Sequence, residues 1–290
     1  MKDQPSKEWY VIVNPHAGSK KTEKDWPYIM KLLNDEGFSF KSVFTEFQYH
    51  ATELARKAIV SMGHRKIIVV GGDGTLNEVL NGIIIQNDVA TTDIMLGVIS
   101  VGTGNDWGRM HNLPSSYAGQ ISVIKKEKTF LHDIGKVTYM HNEKTKIHYF
   151  INIAGMGFDA LVAKKSNIAK QRGASGVITY MTSLLTGLFQ YGHSYIEIEK
   201  GNHKIFSGKV FSMSIGICKY NGGGMMQLPN AIPDDGLFDV TVIRKVSKLK
   251  VIRNLSRLYD GSFIRMKEVE TFTGSDFIIT SIPENNVFLE

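Results

Sequence analysis

Cysteine is almost absent. Cys218 is the one thiol in 290 residues, so no internal disulfide can form. It lies in the apolar stretch Met213-Ser-Ile-Gly-Ile-Cys218, where a buried, inert thiol is the expectation. The opening residues, Met1 to Glu8, hold no apolar core of the kind a secretory signal needs, and a cytoplasmic protein is expected. The longest charge-free window, Gly173 to Ile196, carries too many Gly, Ser and Thr to read as a spanning helix. Its stripe of Val177, Ile178, Met181, Leu184, Leu185 and Leu188 reads as a helix packed on a core, with a lipid-facing helix as the alternative. Two nucleotide signatures are missing as well. There is no G-x-x-x-x-G-K-[ST], and Gly102-Thr-Gly-Asn-Asp-Trp-Gly108 departs from G-x-G-x-x-G by one residue.

What is present describes a globular chain, 42% hydrophobic and 21% charged, whose length suits two domains. The net charge of +6 favours an anionic partner, whether nucleotide, anionic lipid surface or nucleic acid. From Trp9 to about Phe130, strands and helices alternate. Strands are expected at 11–13, 38–44, 66–70 and 96–101, with helices at 27–34, at 52–60 and from about Thr75. That alternation implies a doubly wound parallel sheet with its ligand site at the carboxyl ends of the strands. Beyond residue 133 the strand-like runs 134–140, 147–154, 194–200, 204–214, 237–243 and 277–280 suggest an antiparallel sandwich or barrel. Helical insertions are expected in it at 167–191 and 247–259. The boundary is placed between 130 and 131.

The stretch Val69-Val-Gly-Gly-Asp-Gly-Thr-Leu-Asn-Glu-Val-Leu-Asn-Gly82 passes from a buried strand to a helix through a glycine turn. Gly71, Gly72 and Gly74 let the backbone approach a ligand, and the start of the next helix suits phosphate oxygens. Asp73 is the anomaly, because a carboxylate about 4 Å from a phosphate oxygen is repelled by roughly 4 kcal/mol at an effective dielectric of about 20. Magnesium between them resolves this, since it accepts both kinds of oxygen. The alternative is that Asp73 caps a helix or closes a turn. A second loop, Gly102-Thr-Gly-Asn-Asp106, also follows a strand and belongs on the same sheet edge.

These residues resemble the diacylglycerol kinase catalytic-domain family, bacterial lipid kinases related to sphingosine and ceramide kinases. The resemblance rests on Asn14-Pro-His-Ala-Gly18, Thr45 ahead of His50-Ala-Thr-Glu-Leu-Ala55, Gly71 to Glu78, Gly102 to Asp106, Asp133-Ile-Gly135, Asn152 to Phe158 and Asp234-Asp-Gly-Leu237. It implies an N-terminal α/β domain like that of NAD kinases and phosphofructokinases (1–130). A C-terminal antiparallel β-sandwich with inserted helices follows (131–290). It further implies that Asn14, Pro15, Gly18, Thr45, Gly71, Gly72, Asp73, Gly74, Thr75, Leu76, Asn77, Glu78 and Thr103 hold ATP. Asp73, Asp106 and Asp133 are implied as the catalytic carboxylates, acting with magnesium. The carboxylate of Asp235 and the carbonyls of Ile232 and Leu237 are implied to hold a structural magnesium ion. By composition alone Pro233-Asp-Asp-Gly236 is a turn.

The resemblance also implies a general base in an Asp-Gly-Glu element that would follow the strand Asn286 to Glu290. It is not among these 290 residues, so the chain is expected to be part of a longer kinase or impaired. The implied acceptor is a hydroxyl of a diacylglycerol-like or sphingoid lipid presented at a membrane. Arg244, Lys245, Lys248, Lys250, Arg253, Arg257, Arg265 and Lys267 against Asp260 could hold the protein peripherally on the inner membrane face, although a solvated helix face is the plainer reading. Nucleic acid is not expected, for want of interleaved aromatics or a known module. A homodimer is possible on general frequency. Two other readings stand beside the kinase: an NAD kinase, and a nucleotide- or lipid-binding protein without turnover.

Overall fold

The computed structural model describes residues 6–102, 104–158, 160–162, 165, 187–188, 193–282 and 287–289. The chain forms two compact units, Met1–Leu131 with Lys136–Phe150, and His132–Gly135 with Ile151–Glu290.

In the first unit, β1 (Ser6–Val13), β2 (Phe40–Phe44), β3 (His64–Gly71) and β4 (Met95–Ser100) form a parallel sheet in the order β2-β1-β3-β4. Continuous apolar runs such as Tyr10 to Val13 and Ile67 to Val70 are buried, as strands covered on both faces require. The helices are α1 (Ala17–Asp35), α2 (His50–Val60), α3 (Asp73–Ile84), α4 (Asp106–Met110) and α5 (Tyr117–Lys125). Trp26, Ile29 and Leu33 of α1 and Ile121 and Ile124 of α5 pack on Val11, Val13, Ile68, Val70 and Ile99. The register sets Val13 opposite both Phe44 and Val70, and Gly71 opposite Ser100. The strand ends, and the loops after them, therefore share one edge. Because β1 and β3 are neighbours whose chains leave in opposite directions along the sheet, the loops after them flank its switch point.

The hairpin of β5 (Gly135–His141) and β6 (Lys144–Phe150) groups with the first unit, although it follows the expected boundary at 130/131. The reason is local. Asn81 of α3 donates from Nδ2 to the Tyr149 carbonyl at 2.9 Å and accepts the Tyr149 N–H at 3.1 Å, pairing the backbone of β6 with a helix side chain. The hairpin turns on Asn142 and Glu143, both at positive φ, as a two-residue turn between twisted strands demands.

The second unit is an antiparallel sheet of β7 (Ile153–Gly157), β8 (Ser194–Lys200), β9 (His203–Gly216), β12 (Phe238–Arg244), β13 (Val269–Gly274), β14 (Ile278–Ile282) and β15 (Val287–Leu289). A small hairpin of β10 (Tyr220–Asn221) and β11 (Met225–Met226) lies between β9 and β12. The long β9 organises it. Its first half pairs with β8, its second half with β7, and β12 runs along Val210 to Gly216. Ile196, Ile198, Met156, Met213, Val240 and Val242 from these strands close on one core, with Phe272 and Ile279 packed against it.

The structure departs from the sequence reading in a few elements. The strand expected at 147–154 is two, β6 and β7, broken at Ile151-Asn152. The helix expected at 247–259 is two, α6 (Lys248–Arg253) and α7 (Arg257–Asp260). Asn254 ends the first by turning its amide back onto the Lys250 carbonyl at 2.8 Å. The helices α4 and α5 and the strand β13 were not expected at all. The helix expected at 167–191 lies outside the described residues except at 187–188, where Leu188 is buried.

Candidate active site

Three loops meet at the carboxyl edge of the parallel sheet, and specific bonds hold them. The loop after β1 opens with Asn14, whose Nδ2 donates to Thr75 Oγ1 at 2.8 Å. Its Oδ1 accepts the His16 N–H at 3.0 Å, which closes the loop as an Asx turn. Gly18, Ser19 and Lys20 then take successive left-handed conformations before the regular part of α1 begins. In the loop after β3, Gly72 caps α3 with extended backbone. The loop after β4 lies directly against it. A Cβ on Gly102 would stand 3.2 Å from the Gly72 Cα and 2.5 Å from Asn105 Oδ1, so only glycine allows this approach.

Asp73 joins the second and third loops. Its Oδ2 accepts the backbone N–H of Asp106 and its Oδ1 that of Trp107, both at 3.1 Å. These are N–H groups of the first turn of α4, which has no partner for them within the helix. Burial pushes the Asp73 carboxyl above the usual carboxylate range, against the pull of these backbone donors. The helix-capping alternative for Asp73 thus describes the structure, but the helix is α4, 33 residues downstream, and not its own. Asp106 is buried at 1% exposure, with the Arg109 guanidinium 3.7 Å from its Oδ1.

Glu78 faces the start of α2: burial raises its pKa, against the pull of the nearby Tyr49 and Ala51 N–H groups. Thr52 Oγ1 donates to the Glu78 carbonyl at 2.8 Å. Asn77 turns away from the glycine loop, and its Nδ2 lies 3.2 Å from His148 Nε2 on the β5–β6 hairpin. Leu76 is core, and Thr45 is buried with its N–H on the Val13 carbonyl. Pro15 accepts the Glu23 N–H at 3.2 Å, and Thr103 lies outside the described residues. Of the residues expected at a nucleotide, the structure brings together Asn14, Gly18, Gly71, Gly72, Asp73, Gly74 and Thr75, with the expected catalytic carboxylate Asp106 beside them. Leu76, Asn77 and Glu78 it turns to structural work.

The sequence reading missed a cleft beside the third loop. It has a volume of about 790 Å³ and is lined by Gly102, Gly104 and Asn105 together with Lys21, Arg109 and two tyrosines, Tyr28 and Tyr117. Lys21 lies 5.9 Å from the Tyr117 ring centroid, and the Tyr117 hydroxyl donates to Asp25 at 2.7 Å. The cleft thus offers cations and aromatic faces next to the glycine loops. The one sequence signal for it was Lys20-Lys21, just past Gly18-Ser19.

In the second unit Asp133 belongs to the Pro-Asp-Asp-Gly turn. Its Oδ2 accepts the Gly236 N–H at 2.7 Å, and its own N–H donates to the Pro233 carbonyl at 2.8 Å. Asp235 Oδ1 accepts the Leu237 N–H at 3.0 Å. The Asp239 carboxyl is raised by burial and by the charge of Asp235, offset by Lys219. Exposed Asp235 beside exposed Ile232 and Leu237 offers oxygen donors of the kind a hard divalent cation takes, and two carboxylates that repel one another are eased by one. An apolar cavity of about 60 Å³ also lies in this unit, walled by Phe158, Phe211, Val246 and Phe263, with the buried Ser212 hydroxyl at its lining.

The diacylglycerol kinase catalytic domain matches residues 8–137, and the YegS C-terminal NAD kinase beta sandwich-like domain matches residues 152–289. A diacylglycerol kinase of Staphylococcus haemolyticus is 30% identical over 274 residues, covering 94% of this chain and 78% of that protein. The chain belongs to the diacylglycerol kinase family of lipid kinases. Its relative in Staphylococcus epidermidis is 33% identical over 237 residues, covering 82% of this chain and 70% of that protein. The crystal structure of a diacylglycerol kinase from Bacillus anthracis shares the two-domain fold, with a TM-score of 0.66 at 21% identity over 97% of this chain and 89% of that one. Among the described residues, no helix of this kinase is long and apolar enough to cross a membrane.

Proposed function

We propose that the protein transfers the γ-phosphate of ATP to a hydroxyl of a diacylglycerol-like or sphingoid lipid. The observation that carries this is the junction of Asn14, Gly72, Asp73 and Gly102 at the switch point of the parallel sheet. The nucleotide phosphates would lie over Gly71 to Thr75 at the start of α3, where a Cβ on Gly74 would meet nothing within 4 Å. Lys21 and Arg109 supply positive charge at the neighbouring cleft. Phosphoryl transfer asks a protein chiefly for alignment and charge neutralisation, and loops held this rigidly provide the first.

Magnesium fits the acidic residues. Asp73 would hold one ion near the phosphates, and Asp235 with the carbonyls of Ile232 and Leu237 would hold a structural one. When bound, the first supplies charge neutralisation at the phosphates. Asp106 and Arg109 fix the start of α4 and so the position of Asp73. Asp133 holds the 233–236 turn.

The test is incubation of the protein with γ-labelled ATP, magnesium and mixed micelles of diacylglycerol or sphingosine, beside Asp73→Ala. Label in lipid with the parent and none with the variant supports the reading. Label in NADP, when NAD is the acceptor, overturns it.

A further inference from the structure

The segment from Lys245 to Tyr259 is apolar on two faces, and the fold uses only one of them. Val251, Leu255 and Leu258 point inward and line the apolar cavity with Phe211 and Phe263. Exposed on this segment are Lys245, Lys248, Leu249, Ile252, Arg253, Ser256 and Tyr259, of which Lys248, Leu249, Ile252 and Arg253 share one face of α6. Three of the exposed residues are large and apolar. Leu249 is 56% exposed, Ile252 42% and Tyr259 40%. Isolated exposed apolar residues need no explanation, but Leu249 and Ile252 on one face of α6, between Lys248 and Arg253, form a patch with a composition.

The charges narrow what can cover it. Across residues 244–267 the only acidic side chain is Asp260. The flanking acids are already engaged away from the patch, Glu268 with Lys250 at 2.7 Å and Glu270 with Arg244. Apolar side chains ringed by cations, on a short helix lying along the surface, are the arrangement that settles into the headgroup region of an anionic bilayer. A protein partner of neutral surface would meet this excess of positive charge with no complementary charge of its own.

We infer that the exposed face of α6, with Leu249 and Ile252 as its apolar anchors, is where this protein docks on an anionic lipid bilayer. This deepens the lipid-kinase reading and rests on it for its purpose. It gives the docking step an element of its own, whose inner face packs on the second unit.

The experiment is sedimentation with sucrose-loaded vesicles, without ATP, so that binding is read apart from phosphate transfer. The parent is expected to partition onto phosphatidylglycerol-containing vesicles, to lose binding as salt rises, and to bind pure phosphatidylcholine vesicles far less. Leu249→Ser with Ile252→Ser, both at exposed positions, is expected to reduce partition by about tenfold or more. Lys248→Gln with Arg253→Gln is expected to flatten the salt dependence. Circular dichroism and the melting midpoint check that each variant is folded. A folded double-serine variant that partitions like the parent overturns the inference, as does a parent that ignores anionic vesicles or binds neutral ones equally well. Label transfer to a water-soluble short-chain diacylglycerol is measured in parallel with the parent. Its absence tells against the kinase reading while the vesicle result still decides the docking surface.

Discussion

The carboxylate of Asp73 accepts the backbone N–H of Trp107 at 3.1 Å, and through that bond the turn after β3 holds the start of the helix after β4. The acid that a phosphate would repel is therefore also the tie between the two glycine loops. Its two roles separate in a variant. Asparagine keeps one acceptor and turns an amide NH2 towards the second backbone donor, so Asp73→Asn should cost about 1–3 kcal/mol of stability. It should also remove phosphate transfer. Urea unfolding followed by circular dichroism reads the first effect, and a midpoint equal to the parent's would show that the tie contributes nothing.

Gly74 and Gly82 lie on the same helix and predict opposite behaviour. A Cβ on Gly74 meets open space, and alanine is favoured over glycine in a helix by up to about 1 kcal/mol, so Gly74→Ala should leave the protein as stable or more so. Its methyl group would occupy the space assigned to phosphate, and ATP affinity should fall. A Cβ on Gly82 would lie 2.4 Å from the Thr52 carbonyl oxygen, and Gly82→Ala should force α2 and α3 apart at about 1–3 kcal/mol. Thermal melts with and without ATP and magnesium separate the two; unchanged ATP affinity in Gly74→Ala tells against the phosphate site.

Glu78 is expected to matter for folding more than for nucleotide. Because its half-buried carboxylate faces the Tyr49 and Ala51 N–H groups at the start of α2, Glu78→Ala should lower stability by about 1 kcal/mol. The KM for ATP should stay within about twofold of the parent, less than 0.5 kcal/mol of binding free energy. A large rise in KM with an unchanged melting midpoint would return Glu78 to the nucleotide.

His148 gives a pH signature. Burial lowers its pKa below the ordinary 6.5, and Asn77 Nδ2 lies 3.2 Å from its Nε2, which accepts that bond only when unprotonated. Between the folded and unfolded pKa values the unfolded chain binds more protons, so the contribution of His148 is present above 6.5 and is lost as pH falls through the folded value. Asp73 and Glu78, raised by burial, have the opposite sign, so the effect is read as a difference. The stability of the parent minus that of His148→Gln should shrink as pH falls from about 7.5 to about 5.5. A gap that is flat or widens over that range contradicts the assignment.

Much of the fold was legible because its signals are local. The buried runs at Val11 to Val13 and Ile67 to Val70 and the glycine turn between Val70 and Leu76 announce strand, loop and helix within a few residues of one another. So does the 194–200 strand, found with those limits. What escaped depends on distant partners. Asp73 reads as a ligand or as a cap for its own helix, because nothing near it in sequence reveals Trp107. Asn77 and Glu78 sit in a nucleotide-like motif, yet their side chains are claimed by a hairpin 71 residues away and by the preceding helix. The pairing of Asn81 with Tyr149, which draws the hairpin into the first unit, is equally invisible to periodicity. The cleft lined by Tyr28, Arg109 and Tyr117 draws on α1, α4 and α5, and two of those helices carried too weak a pattern to be expected.

The nucleotide site over the β3–α3 turn is tested most directly by amide resonances of the isotope-labelled protein during titration with ATP and magnesium. The account predicts the largest shifts at Gly72, Gly74, Thr75 and Gly102, saturating together. Shifts that leave these four amides in place and gather elsewhere in the chain would contradict it.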